Sequence, residues 1–124
     1  MIPMVRRQKM LGGQFPIRWN RGQFFADFVA SVNLQRPCVE LGVWRGDFSI
    51  EFLQRLGSLA YAAGLELPRY FMVDVWRHLP AHEHYSDGGN KNNFRQRRHL
   101  LKVVERMAPF WGRTTLLQLR SREA

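Results

Sequence analysis

Apolar residues recur at spacings of three and four from Gln23 to Val32, through Phe24, Phe25, Phe28, Val29 and Val32. That period predicts an amphipathic helix with one apolar face, stopped by Asn33 and Pro37. Cys38–Leu41 is then a short apolar strand ending at Gly42. After the loop 43–46, Phe48, Ile50, Phe52, Leu53, Leu56 and Leu59 predict a second helix, which Asp47 or Ser49 can cap and which Gly64 and Pro68 end. Residues 70–75 read Tyr-Phe-Met-Val-Asp-Val, a strand by its β-branched and aromatic content. It is apolar on both faces until Asp74, as expected of a strand between helix layers.

A long polar loop is expected over residues 76 to about 91. A third helix follows, with Phe94, Leu100, Leu101, Val103, Val104 and Met107 as its apolar set and Pro109 and Gly112 at its close. Residues 114–119 predict a third strand. Strands alternating with helices argue for an α/β, Rossmann-like parallel sheet with helices on both faces, interrupted after the third strand. The right-handed crossover rule orders the strands three-two-one. Ligands of such sheets bind at the carboxyl ends of the strands, so attention falls on residues 42–49, on Asp74 and beyond, and on residues 120–124. The expected division is an irregular basic arm over residues 1–20, broken by Pro3, Gly12, Gly13 and Pro16, and a partial domain over 21–124.

Charge changes this picture somewhat. The 124 residues carry a formal net charge of +9, with sixteen Arg against three Lys. Such a field can recruit nucleic acid or acidic substrates, but the basic residues are scattered and form no recognisable nucleic-acid-binding motif. No stretch approaches the roughly 18 unbroken apolar residues of a membrane span, so no membrane partner is expected. A single cysteine, Cys38, leaves no intrachain disulfide and points to a reducing, cytoplasmic setting. It reads as a structural thiol rather than a nucleophile. The acid-free stretch before Asp27 leaves organelle targeting open, although its glycines, its prolines and its lack of serine argue against that.

The segment 38–49, C-V-E-L-G-V-W-R-G-D-F-S, carries the chemistry. Gly42 allows backbone to approach a ligand and Gly46 can take turn geometry closed to other residues. The next helix offers free amides at its positive end, and an acid near the strand end suits a cationic amino group. The plain alternative is a tight strand-to-helix turn without a ligand. The dinucleotide fingerprint G-x-G-x-x-G is absent, because Val43 and Trp44 follow Gly42. Asp74 also lies 28 residues past Gly46, beyond the roughly 20 usual in dinucleotide binders.

E-L-G-V-W-R-G-D-F-S resembles the first motif of class I S-adenosylmethionine-dependent methyltransferases, in particular the group that includes catechol O-methyltransferase and macrocin O-methyltransferase-like enzymes. Y-F-M-V-D-V-W resembles that family's next motif, and residues 76–90 and the closing L-R-S-R-E-A are similar too. The resemblance covers residues from about 20 to 124 and implies S-adenosylmethionine as cofactor. It would place Glu40 at the methionine amino group and Gly42, Val43 and Trp44 along the methionine and sulfonium. Gly46 would hold the turn and Ser49 would reach the carboxylate. Asp74 would accept both ribose hydroxyls, Val75 would pack on the adenine, and Ser121 with Arg122 would flank the adenine edge. For Asp74 the competing reading is a capping or surface acid.

In the resembled family a fourth strand pairs with the first and supplies acids for a metal or the acceptor, and no candidate for it is present here. The resemblance therefore implies the cofactor-binding half of a methyltransferase of small molecules, inactive alone, with no assignable catalytic residue or metal ligand. Its first strand would be an open edge inviting self-association. A basic nucleic-acid-binding module and a catalytically silent domain remain the alternatives. His78, His82 and His84 with Glu83 and Asp87 could ligate zinc, but a solvated flap over the site is the better reading of that loop.

Overall fold

A computed structural model of the chain describes residues 20–79, 91–120 and 123–124. They group into two compact units, residues 20–36 with 48–68, and residues 37–47 with the described part of 69–124. The two are taken in turn.

The first unit is a pair of helices, α1 (Arg21–Val32) and α2 (Asp47–Ala62), the first residue of α2 being counted with the second unit. Asn20 caps α1, its Oδ1 accepting the backbone N–H of Gln23 at 2.9 Å, a cap worth about 1 kcal/mol. The buried line of α1 runs through Gly22 and Ala26. The expected apolar face is largely open, with Phe25, Phe28 and Val32 all exposed. The reason is steric. A Cβ built on Gly22 would lie 2.8 Å from Glu51 Cβ and from the backbone nitrogen of Phe52, so α2 crosses α1 where only a small residue fits. Phe25 still meets Phe48 edge-on, Phe48 stacks on Phe52, and Arg55 Nε donates to Asp27 Oδ1 at 2.8 Å. Phe52, Leu53, Leu56 and Ala60 are buried. Gly64 ends α2 as expected, at φ +72°. Its N–H donates to the Tyr61 carbonyl and that of Leu65 to Ala60, the paired bonds of a glycine-terminated helix.

The second unit is a parallel sheet of β1 (Cys38–Leu41), β2 (Tyr70–Asp74) and β3 (Thr114–Gln118), in the order β1-β2-β3. The α/β class, the parallel pairing and the expected order all hold. Register pairs Leu41 with Val73 and Asp74 with Gln118, so the strands finish at one edge. In the central strand Tyr70, Met72 and Val73 are buried, while Val39 and Leu41 on the edge strand are exposed. Helix α3 (Asn93–Arg106) is capped by Asn92 and followed by a 3₁₀ turn, Ala108–Phe110. Of its expected apolar set, Val103 and the following Met107 are buried, whereas Phe94, Leu101 and Val104 are exposed.

Candidate functional site

Parallel pairing brings the loop after β1 against the end of β2. Gly42 leaves the strand at φ +84°, its N–H still donating to the Val73 carbonyl at 2.9 Å. Among the described residues, apart from its chain neighbours, no atom lies within 4 Å of where a Gly42 Cβ would sit, so the positive φ requires glycine there. Gly46, at φ +82°, closes the turn by donating to the Val43 carbonyl at 3.0 Å. An added Cβ at Gly46 would lie 3.3 Å from Val103 Cγ2, so this glycine also lets α3 come close.

Asp74 ties the loop down. Its Oδ2 accepts the backbone N–H of Trp44 at 2.6 Å and its Oδ1 accepts that of Val75 at 2.7 Å. The carboxylate therefore spans the ends of β1 and β2, and each oxygen keeps a further lone pair for a ligand. Trp44 and Trp76 both hold left-handed backbone, at φ 57° and 47°, a conformation that costs a bulky residue energy and concentrates at functional sites. They are joined to each other, since the indole Nε1–H of the buried Trp76 donates to the Trp44 carbonyl at 2.9 Å.

On the other flank, Arg106 Nη1 donates to the Arg45 carbonyl at 3.1 Å and to Asp47 Oδ1. The Arg106 hydrogen bond, aided by the charges of Arg106, Arg45 and Lys102, holds the Asp47 carboxyl below its ordinary range. The Arg45 guanidinium lies 4.1 Å over the Trp44 ring, and the His99 imidazole meets that ring edge-on at 5.6 Å. His99 is pushed below its ordinary value, first by desolvation and then by Arg45, with Lys91 and Arg95 adding and Asp74 opposing.

Of the residues singled out in the sequence, Gly42, Val43, Trp44, Gly46, Asp74 and Val75 come together here, with Val43 buried. Glu40 lies inside β1 rather than at its end, and its Oε1 accepts the Tyr70 hydroxyl at 2.6 Å. Ser49 belongs to the helical unit and has no exposed surface. Ser121 and Arg122 lie outside the described residues, as do His82, Glu83, His84 and Asp87. Among the described residues no group of three or more His, Cys, Asp or Glu is placed to hold a metal. Burial pushes the Cys38 thiol up, the opposite of an activated nucleophile. Sequence reading missed Tyr70, Trp76, His99 and Arg106 as supports of the site. Trp76 alone had a signal, as the last residue of Y-F-M-V-D-V-W.

Among the described residues no helix is long and apolar enough to cross a membrane. No protein-family model and no curated protein matches the chain. Among solved structures, the chain is similar to an uncharacterized protein from Burkholderia thailandensis at 19% identity with a TM-score of 0.46. The match covers 80% of this chain and 22% of that protein, so the chain spans about a fifth of its length.

Proposed function

We propose that this chain is the S-adenosylmethionine-binding part of a class I methyltransferase, of the type that includes the catechol and macrocin O-methyltransferases. The observation that carries the reading is the Asp74 bridge. An acid at the carboxyl end of the second strand grips a glycine turn at the carboxyl end of the first, where α/β sheets take their ligands. The residues suit the cofactor. Gly42 leaves open space beside the turn, and the Asp74 oxygens retain acceptor capacity for a pair of hydroxyls.

When bound, the cofactor supplies an electrophilic methyl group on a sulfonium. The chain's own residues bind and orient it. Asp74 takes the ribose, the turn 42–46 lines the methionine, Val75 packs on the adenine, and Glu40 meets the amino group. The acceptor is a small molecule whose chemistry depends on residues beyond these.

Calorimetric titration of the 124-residue chain with S-adenosylmethionine tests the reading. Asp74→Ala should weaken binding about tenfold or more, since hydrogen bonds to a charged group are worth roughly 1.5–3 kcal/mol each. Asp74→Asn, which keeps one acceptor oxygen, should fall between that variant and the parent. Equal affinity in all three proteins overturns the ribose assignment, and no binding to the parent overturns the proposal.

A further inference from the structure

Beside Trp44 lies an open depression of about 390 Å³ lined by Arg45, Arg95, Arg98, His99 and Lys102. Four of these stand on α3 at positions i, i+3, i+4 and i+7, which places them on one helix face. Arg45 reaches the depression from the loop after β1. Among the described residues no carboxylate lines it. Asp47 is engaged by Arg106 and Arg45, and Asp74 by two backbone amides. Among the described residues Arg95, Arg98 and Lys102 have no carboxylate partner.

A solvated basic face needs no concavity, and like charges at helical spacing destabilise the helix that carries them. Gathering four cations and an imidazole around one hollow therefore costs stability unless an anion enters. Arg45 Nε and His99 Nδ1 are shielded from solvent and have no hydrogen-bond partner among the described residues, so contact with a ligand falls to the outer nitrogens of the guanidinium and the imidazole. The planar guanidinium fork matches phosphate oxygens two at a time. The hollow is sized for a small molecule, and its α3 wall, from residue 95 to residue 102, runs only about 10 Å at 1.5 Å per residue.

We propose that this depression is a binding site for the phosphate groups of a compact ligand, such as a diphosphate or a phosphorylated small molecule. That the ligand is the methyl acceptor, its phosphates held here and its nucleophile turned toward the glycine turn, rests on the methyltransferase reading. The phosphate site itself does not.

Inorganic pyrophosphate is the probe, titrated into the 124-residue chain by calorimetry and followed by thermal unfolding. Pyrophosphate should bind and raise the unfolding temperature, because a ligand of the folded state stabilises it. Arg98→Ala and Lys102→Ala should each weaken binding about tenfold or more. Arg97→Ala removes the same charge from α3 outside the depression and should leave affinity within about twofold. In NMR titrations the His99 imidazole, which faces Arg45, Lys91, Arg95 and Asp74, should gain a higher pKa when pyrophosphate is bound.

Equal losses in Arg97→Ala and Arg98→Ala would show a diffuse field and overturn the site. So would binding of a single-stranded oligonucleotide that pyrophosphate does not displace, or no pyrophosphate binding at millimolar concentration. The cofactor reading fails separately: a parent chain that binds pyrophosphate but not S-adenosylmethionine would overturn that reading and leave the phosphate site standing.

Discussion

The helical unit and the sheet unit are built by different kinds of contact. In the first, α1 meets α2 over Gly22 and Ala26, with Phe25, Phe48 and Phe52 ring to ring and an ion pair between Arg55 and Asp27. In the second, backbone ladders order three strands, and polar groups fix the loop at their ends: Asp74 on Trp44, Trp76 on Trp44, and Arg106 on Arg45 and Asp47. Steric fit suffices where a unit has only to hold together. Directional bonds are needed where backbone must stay in left-handed conformations at the ends of the strands. The comparison predicts that the helical unit is sensitive to volume and the sheet unit to charge.

The largest effect should follow from volume. Gly22→Leu forces a side chain into space where even a Cβ meets Glu51 Cβ and the Phe52 backbone at 2.8 Å. Helices must move apart, at about 3 kcal/mol for an overpacked contact. Thermal unfolding should show a matching loss, and a neutral Gly22→Leu would break the account of the crossing.

That glycine also marks where the sequence misleads. Periodicity found α1 correctly but chose the wrong face, because Phe24, Phe25, Phe28, Val29 and Val32 outweigh one glycine and one alanine in any apolar count. Close approach is a property of two helices, and only the second helix shows that Gly22 is needed. The same holds for the basic residues, which look scattered along the chain until the fold gathers Arg45 with Arg95, Arg98 and Lys102 of α3 around one hollow. By contrast β1, β2 and β3 were legible nearly to the residue, because short apolar runs bounded by Gly and Pro leave few other readings. The pairing of Gly42 with Asp74 followed from parallel order alone. The support that Tyr70, Trp76 and Arg106 give the site was not legible, since each bond spans 30 or more residues.

An intermediate effect should come from exposed apolar surface, which the two units carry differently. The helical unit shows Phe25, Phe28 and Val32 on a helix, the sheet unit Val39 and Leu41 on a strand that pairs only with β2 among the described residues. An edge strand offers unpaired backbone groups as well as side chains, so we expect self-association to run through β1. In sedimentation, Val39→Lys with Leu41→Lys should shift the chain toward monomer, whereas Phe28→Lys should leave its distribution unchanged. The opposite result would assign association to the helical unit.

The smallest effect is electrostatic and belongs to the Arg106 tether. Asp47 sits below its ordinary pKa because Arg106 hydrogen-bonds its ionised form, so the folded state holds fewer protons there than the unfolded chain. The resulting stabilisation is fully present above the unfolded carboxylate value, about 3.9, and is lost as pH falls through the lower folded value. More than half of the Asp47 side chain is exposed, and water screening limits such a pair to a few tenths of a kcal/mol, at most about 1. Asp47→Asn should cost that much at neutral pH and progressively less as pH falls below the unfolded carboxylate value, so the two unfolding curves should converge in acid. Arg106→Ala should flatten the same acid limb but cost more at neutral pH, because it also removes the hydrogen bond to the Arg45 carbonyl in the loop after β1. If Asp47→Asn and Arg106→Ala cost the same at neutral pH, the bond to that carbonyl contributes nothing, and the loop is held from the Asp74 side alone.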